Sequence, residues 1–94
     1  MKNILVVAYG LRNPSQNAQA IRRRIKASGD WNNIGDCAYL VSTDHSPVQV
    51  RDRLAKAMQD GDRLYVGIAA NPSAWLGMSD QAEMWIHSRQ HGRE

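Results

Sequence analysis

Chemistry in this 94-residue chain would have to come from a short set of side chains: Asp44 next to His45, Ser42 and Thr43 just before them, a lone Cys37, and His87 with His91 four residues apart. An acid beside an imidazole is compatible with metal binding or acid–base work, which makes Asp44 and His45 the candidate catalytic pair. The plainer reading is a loop Asp and His that make turn and capping hydrogen bonds. Adjacent residues do not face one another as a nucleophile and its base must, so Ser42 and Thr43 supply no hydrolase triad. His87 and His91 can share one helix face, as paired metal ligands do, but no third ligand is close in sequence and solvent-facing positions near a terminus are the expectation. Cys37 has no second cysteine to pair with and no neighbouring histidine, so a buried or half-buried thiol in a reducing compartment is expected. Gly10 has no companion glycines at the offsets of a phosphate loop or a dinucleotide fingerprint. No metal site and no cofactor is expected from these residues, and no catalytic group beyond Asp44 and His45 stands out.

Basic side chains offer a stronger signal. Met1 to Ser28 holds six bases, Lys2, Arg12, Arg22, Arg23, Arg24 and Lys26, and no acid, whereas the other 66 residues hold six bases and nine acids. Such asymmetry points to an anionic partner more than the net charge of +3 does. Within a helix expected from Gln16 to about Ser28, Ala18, Ile21 and Ile25 recur as one apolar stripe. At roughly 100° per residue Arg23 and Lys26 point away from the stripe, and Arg22 and Arg24 flank it. Arg12, Arg22, Arg23 and Lys26 are therefore the candidate contacts to nucleic-acid phosphates or another anion. A solvated arginine-rich face is the plainer alternative. Tyr9 is the only aromatic residue of the basic segment, so stacking on single-stranded bases is not suggested.

The elements that must hold these residues follow from the apolar pattern. Ile4 to Tyr9 is a buried first strand, ended by Gly10 and Pro14. Trp31 to Ile34 and Cys37 to Ser42 read as a hairpin across a Gly35-Asp36 turn, with Asp30 and Asp36 as turn residues. Ser46 and Pro47 suit the N-cap and first position of a second helix, whose buried face is Val50, Leu54, Ala57 and Met58, with Gly61 as the stop. Arg63 to Ala69 is the last core strand. The β-α-β-β-α-β order predicts an α+β, ferredoxin-like sandwich: an antiparallel sheet with two helices on one face and a short C-terminal helical or extended segment. One domain over 1–94 is expected, with its core at about 2–70 and the segment at 71–94. Trp75, Met78, Met84 and Trp85 in that segment exceed what a finished core needs. They are read as a homodimer contact, with Trp75 packing back on the sheet as the alternative and Ser79 or Asp80 capping a short helix. The N-terminal apolar run is too short for a membrane span and lacks a cleavage signal, which predicts a cytoplasmic protein with no membrane partner.

Tyr9-Gly10-Leu11-Arg12-Asn13-Pro14, Ala38-Tyr39-Leu40-Val41-Ser42-Thr43, Arg51-Asp52-Arg53-Leu54, Asp62-Arg63-Leu64-Tyr65-Val66 and Ala74-Trp75-Leu76-Gly77 carry a family resemblance. In this order they resemble the small bacterial and phage proteins described as SinR-like, which are similar to the CRISPR-associated adaptation subunit Cas-two. The likeness spans about Lys2 to Trp85. It implies a ferredoxin-like homodimer in which sheet edges and the C-terminal segment meet, and basic surfaces that hold double-stranded DNA. It also implies, for some members, a magnesium-dependent nuclease whose metal ligand is an Asp at the end of the first strand. This chain has Gly10 there. A hard divalent cation needs oxygen ligands, which two glycines cannot supply from side chains. Three functions follow as expectations. The first is a non-catalytic dimer that binds nucleic-acid phosphates. The second is a metal-dependent nuclease using Asp44 in place of the missing acid. The third is a regulatory or counter-defence protein whose partner is another protein or a small phosphate-bearing ligand.

Overall fold

The computed structural model describes residues 2–70 and 74–91. Its elements are β1 (Asn3–Gly10), α1 (Pro14–Lys26), β2 (Asp30–Gly35), β3 (Ala38–Thr43), α2 (Pro47–Ala55), β4 (Arg63–Ala69) and α3 (Asp80–His91). The strands form one sheet in the order β2-β3-β1-β4. Every neighbouring pair is antiparallel, with Val6 opposite Leu40 on one side of β1 and Val7 opposite Val66 on the other. This is the ferredoxin-like α+β arrangement.

Side chains alternate along a strand, so the unbroken apolar run of β1 must be buried on both faces. Leu5, Val7 and Tyr9 join Tyr39 and Val41 beneath Ile21 and Ile25 of α1 and Val50 and Leu54 of α2. Ile4 and Leu40 face the other way and are covered by Trp85 and Ile86 of α3. Two helices thus share one face, and α3 of the C-terminal segment takes the opposite one.

Local chemistry explains most boundaries. α1 begins at Pro14, earlier than its apolar period indicates, because proline suits the first helical position. Its buried stripe is Asn17, Ile21 and Ile25, and Ala18 is only half-buried. α2 carries a full capping box: Gln49 N donates to Ser46 Oγ at 3.1 Å, and Ser46 N donates to Gln49 Oε1 at 2.8 Å. It ends at Ala55, well before Gly61. Ala57 N then bonds Leu54 O and Met58 N bonds Ala55 O, a tighter winding that still turns Ala57 and Met58 toward the core. Gly61 sits in the following turn at φ +87°.

Three expectations near β2 are corrected. A register shift between Asn33 and Gly35 lengthens the strand, so the turn falls at Asp36 and Cys37. Cys37 is exposed, because it lies in that turn rather than in β3, and its carbonyl accepts from Tyr9 N at 3.1 Å. Asp30 opens β2 and fastens α3: it accepts from Trp85 Nε1 at 3.5 Å and pairs with Arg89, whose guanidinium also lies 4.7 Å over the Trp85 ring.

The residues read as a dimer contact are placed mostly within the chain. Trp85 is 9% exposed, and Trp75 and Met78 are half-buried against the same cluster, whereas Met84 is 71% exposed. Trp75 Nε1 donates to Glu83 at 3.1 Å, and Ser79 Oγ accepts from Ala82 N at 3.1 Å as the cap of α3. An apolar cavity of about 170 Å³ remains between α3 and the sheet, with Ile4, Leu40, Trp75, Met78 and Ile86 among its walls.

Candidate nucleic-acid interface

α1 has 13 residues and no acid, and its cations, Arg22, Arg23, Arg24 and Lys26, gather in its C-terminal five residues, about 6 Å of helix axis. Arg22, Arg23, Arg24 and Lys26 are all exposed. Their surroundings differ. Lys26 Nζ lies 4.6 Å over the Trp31 ring, a cation–π contact worth about 0.5–1 kcal/mol that draws it to the β2 side. Arg22 lies by Tyr9, whose phenol is pushed up by burial, with Tyr39 and Cys37 adding and Arg22 opposing. Arg24 reaches α2, where Nη1 donates to the Arg53 carbonyl at 3.3 Å. That carbonyl belongs to the last turn of α2, where helical geometry leaves acceptors without intrahelical donors, so Arg24 acts as a cap from the neighbouring helix.

Arg12, expected with the others, lies before α1 in a different electrostatic setting. Asp62 Oδ1 accepts from Arg12 N at 2.9 Å, and Asp62 Oδ2 accepts from Gln59 N at 2.8 Å and from Asn17 Nδ2 at 2.9 Å. These bonds hold the Asp62 carboxyl below the usual carboxylate range, with the Arg12 amide the largest cause. Asn17 Nδ2 also donates to Ala57 O at 2.9 Å, which ties α1 to the loop before β4. The Arg12 side chain crosses Gly61 where a Cβ would stand. A depressed acid contributes stability above its unfolded pKa and loses it as pH falls through the folded one. Asp62→Asn is therefore expected to lower the melting temperature at neutral pH and to flatten its fall below about pH 4. Thermal melts across pH measure this, and parallel curves for the two proteins would remove Asp62 from the account.

Gly10 ends β1 exposed, and nothing lies within 4 Å of where its Cβ would project. Residue type rather than crowding keeps a carboxylate from this place. Asp44 is exposed in the loop between β3 and α2. His45 N donates to Thr43 Oγ1 at 3.1 Å, and that hydroxyl donates to Ser28 O at 2.8 Å. His87 is exposed with its ring edge-on to Trp75 at 5.5 Å, and the His91 side chain lies outside the described residues. Among the described residues no three of His, Cys, Asp or Glu gather where they could hold a metal ion.

The chain is similar to the crystal structure of a hypothetical protein, TT1823, from Thermus thermophilus. The two share 19% identity over 83% of this chain and 94% of that one, with a TM-score of 0.67. Likeness at this identity concerns the fold alone. No protein-family model matches the chain, and no curated protein does. Among the described residues no helix is long and apolar enough to cross a membrane.

The helix layer also brings together cations that the sequence separates. α1 and α2 meet along a seam where Gln59 Nε2 donates to Gln16 Oε1 at 3.1 Å, Asn17 reaches Ala57 and Arg24 reaches Arg53. Partners of rising number on one helix have falling numbers on the other, so the helices run antiparallel. Arg53 lies by helical spacing on the flank opposite Arg51, Lys56 follows as the C-cap of α2, and both are exposed. Arg51 lies on the other flank, where its Nε and Nη2 donate to Asp52 at 3.1 and 2.9 Å. The linear charge count assigns Arg53 and Lys56 to the acidic remainder of the chain. Only the pairing of the two helices, implicit in the β-α-β-β-α-β order, could have joined them to α1.

Proposed function

We propose that this chain is a non-catalytic, cytoplasmic binding protein that holds nucleic-acid phosphates on the exposed cationic face of α1. The observation that carries this reading is the run Arg22, Arg23, Lys26 on a helix with no acid in its 13 residues. Phosphate contacts made by such side chains fix position and affinity and carry no base specificity. Gly10 at the end of β1 supports the absence of catalysis, since the family that the sequence resembles places its metal-binding acid there. A homodimer remains part of the reading. Its contact is assigned to surfaces that the chain leaves open, Met84 on α3 and the edge strand β4 with Tyr65 and Ile68, which are 71%, 65% and 56% exposed. Sedimentation at micromolar concentration tests that part, and a monomer there removes it.

Binding of labelled duplex DNA, titrated with salt with and without magnesium and followed by sizing of the DNA, tests the rest. Affinity is expected to fall linearly in log–log form with salt while the DNA stays intact. Charge reversal in Arg23→Glu/Lys26→Glu is expected to weaken binding on every sequence by at least tenfold at 0.1 M salt. Equal binding by that variant rejects the assigned face. DNA shortened only with magnesium, and left whole by Asp44→Ala, replaces this reading with the nuclease. Thermal stabilisation by small nucleotides without duplex affinity replaces it with a regulatory ligand site.

A further inference from the structure

We infer that the phosphate-binding surface crosses the α1/α2 seam, so that Arg53 of α2 and Lys56 at its C-cap engage the backbone of a nucleic-acid duplex together with Arg23 of α1. This rests on the phosphate-binding reading above and adds a second set of cations, from the end of α2.

The seam fixes the arrangement. Arg24 bonds the Arg53 carbonyl, so the stem of Arg53 leaves α2 at the point where the Arg24 guanidinium arrives from α1. Arg24 thereby holds the last turn of α2, where Arg53 and Lys56 are both exposed. Packed helices lie about 8–10 Å apart, so cations on both flanks of one seam form a surface, where a single helix offers only a line. Arg12 stands apart from this surface beside the Asp62 carboxylate, and Lys26 is drawn toward Trp31.

Charge complementarity selects the occupant. Duplex DNA carries one negative charge per about 1.7 Å of its axis and offers phosphates across its width. Binding a single strand relies on aromatic platforms for its bases. Neither α1 nor α2 contains an aromatic residue, and the nearby Trp31 ring has Lys26 over one face. The acid on this stretch of α2, Asp52, is bonded by Arg51 on the flank away from α1.

The test compares the salt dependence of duplex DNA binding for wild type, Arg53→Gln/Lys56→Gln, Lys56→Gln alone and Arg51→Gln, with thermal melts to verify folding. The double variant is expected to lose about 2 from the log–log salt slope, and on the order of 10- to 100-fold in affinity at 0.1 M salt. Lys56→Gln loses about 1. Arg51→Gln removes the same charge from the same helix and is expected to leave the slope unchanged, which separates contact from net charge. Should wild type bind, Arg23→Glu/Lys26→Glu bind weakly and the α2 variants keep the full slope, this inference is overturned and the broader reading stands. A wild type without salt-dependent duplex binding ends both. An unlabelled single strand of equal length that competes as well as the duplex overturns the choice of a double-stranded ligand.

Discussion

Leu54→Ala is expected to lower the unfolding free energy by about 2–5 kcal/mol. Leu54 is fully buried and projects from α2 into the cluster formed by Leu5, Val7, Val41 and Ile21. Truncation removes its transfer free energy and leaves a cavity that rigid neighbours on three elements cannot fill. For a domain of this size each kcal/mol moves the midpoint by about 4–8 °C, so the melting temperature should fall on the order of 10–30 °C. Chemical denaturation at low temperature gives the free energy directly. A loss under about 1 kcal/mol would mean that α2 does not sit on the sheet as described, and the cationic seam would lose its support. A folded Leu54→Ala protein well below its midpoint should still bind duplex, because the substitution touches no exposed cation.

Gly29→Ala is expected to be the most damaging of the small substitutions. The backbone of Gly29 needs no positive φ, so space rather than conformational freedom requires glycine. An added Cβ would overlap the Ser42 carbonyl oxygen and stand 3.0 Å from Thr43 Cβ and 3.2 Å from the Ser42 carbonyl carbon. Two of these three atoms are β3 backbone, fixed by pairing with β1 and β2, so the strain cannot be relieved by turning a side chain. Overpacking of this kind costs about 1–3 kcal/mol or more, and here it also strains the hydrogen bond from Thr43 Oγ1 to Ser28 O. Gly10→Ala makes the comparison, since its Cβ meets nothing within 4 Å and should change stability by no more than about 0.5 kcal/mol. Equal melting temperatures for the two alanine variants would contradict the close approach of Gly29 to β3.

Legibility in the sequence followed the range of the interactions. β1, β4 and the Ser46-Pro47 start of α2 depend on neighbours a few residues away, and the periodicity and the cap chemistry located them. The α1 cations were legible for the same reason. Arg24 bonded to Arg53, Asn17 and Arg12 bonded to Asp62, and Asp30 bonded to Arg89 are pairs 29 to 59 residues apart, and no local pattern encodes them. Asp30 therefore read as a turn residue and Arg24 as one more flank cation. The early end of α2 was missed because Ala57 and Met58 keep apolar spacing through the tighter winding that follows Ala55. Cys37 read as part of a strand because the register shift between Asn33 and Gly35 is invisible to an alternating pattern. Trp75 and Trp85 read as surplus because the opposite face of the sheet has no cover until the C-terminal helix returns to it.

The unequal closure of the two sheet faces has a consequence for how the molecule opens. One face is sealed by two helices around fully buried Leu5, Val7, Ile21 and Leu54. The other has a single helix, packed through Trp85 and Ile86 beside an apolar cavity and tied to β2 through Asp30. The free energy of opening is not uniform across such a structure, and the element with less filled contact gives way first. α3 should therefore detach as a unit while the β-α-β-β-α-β body stays folded, with its amides exchanging well ahead of those in β1. Each opening presents Ile4 and Leu40 to solvent beside an edge strand, a brief and recurring invitation to proteases and to self-association.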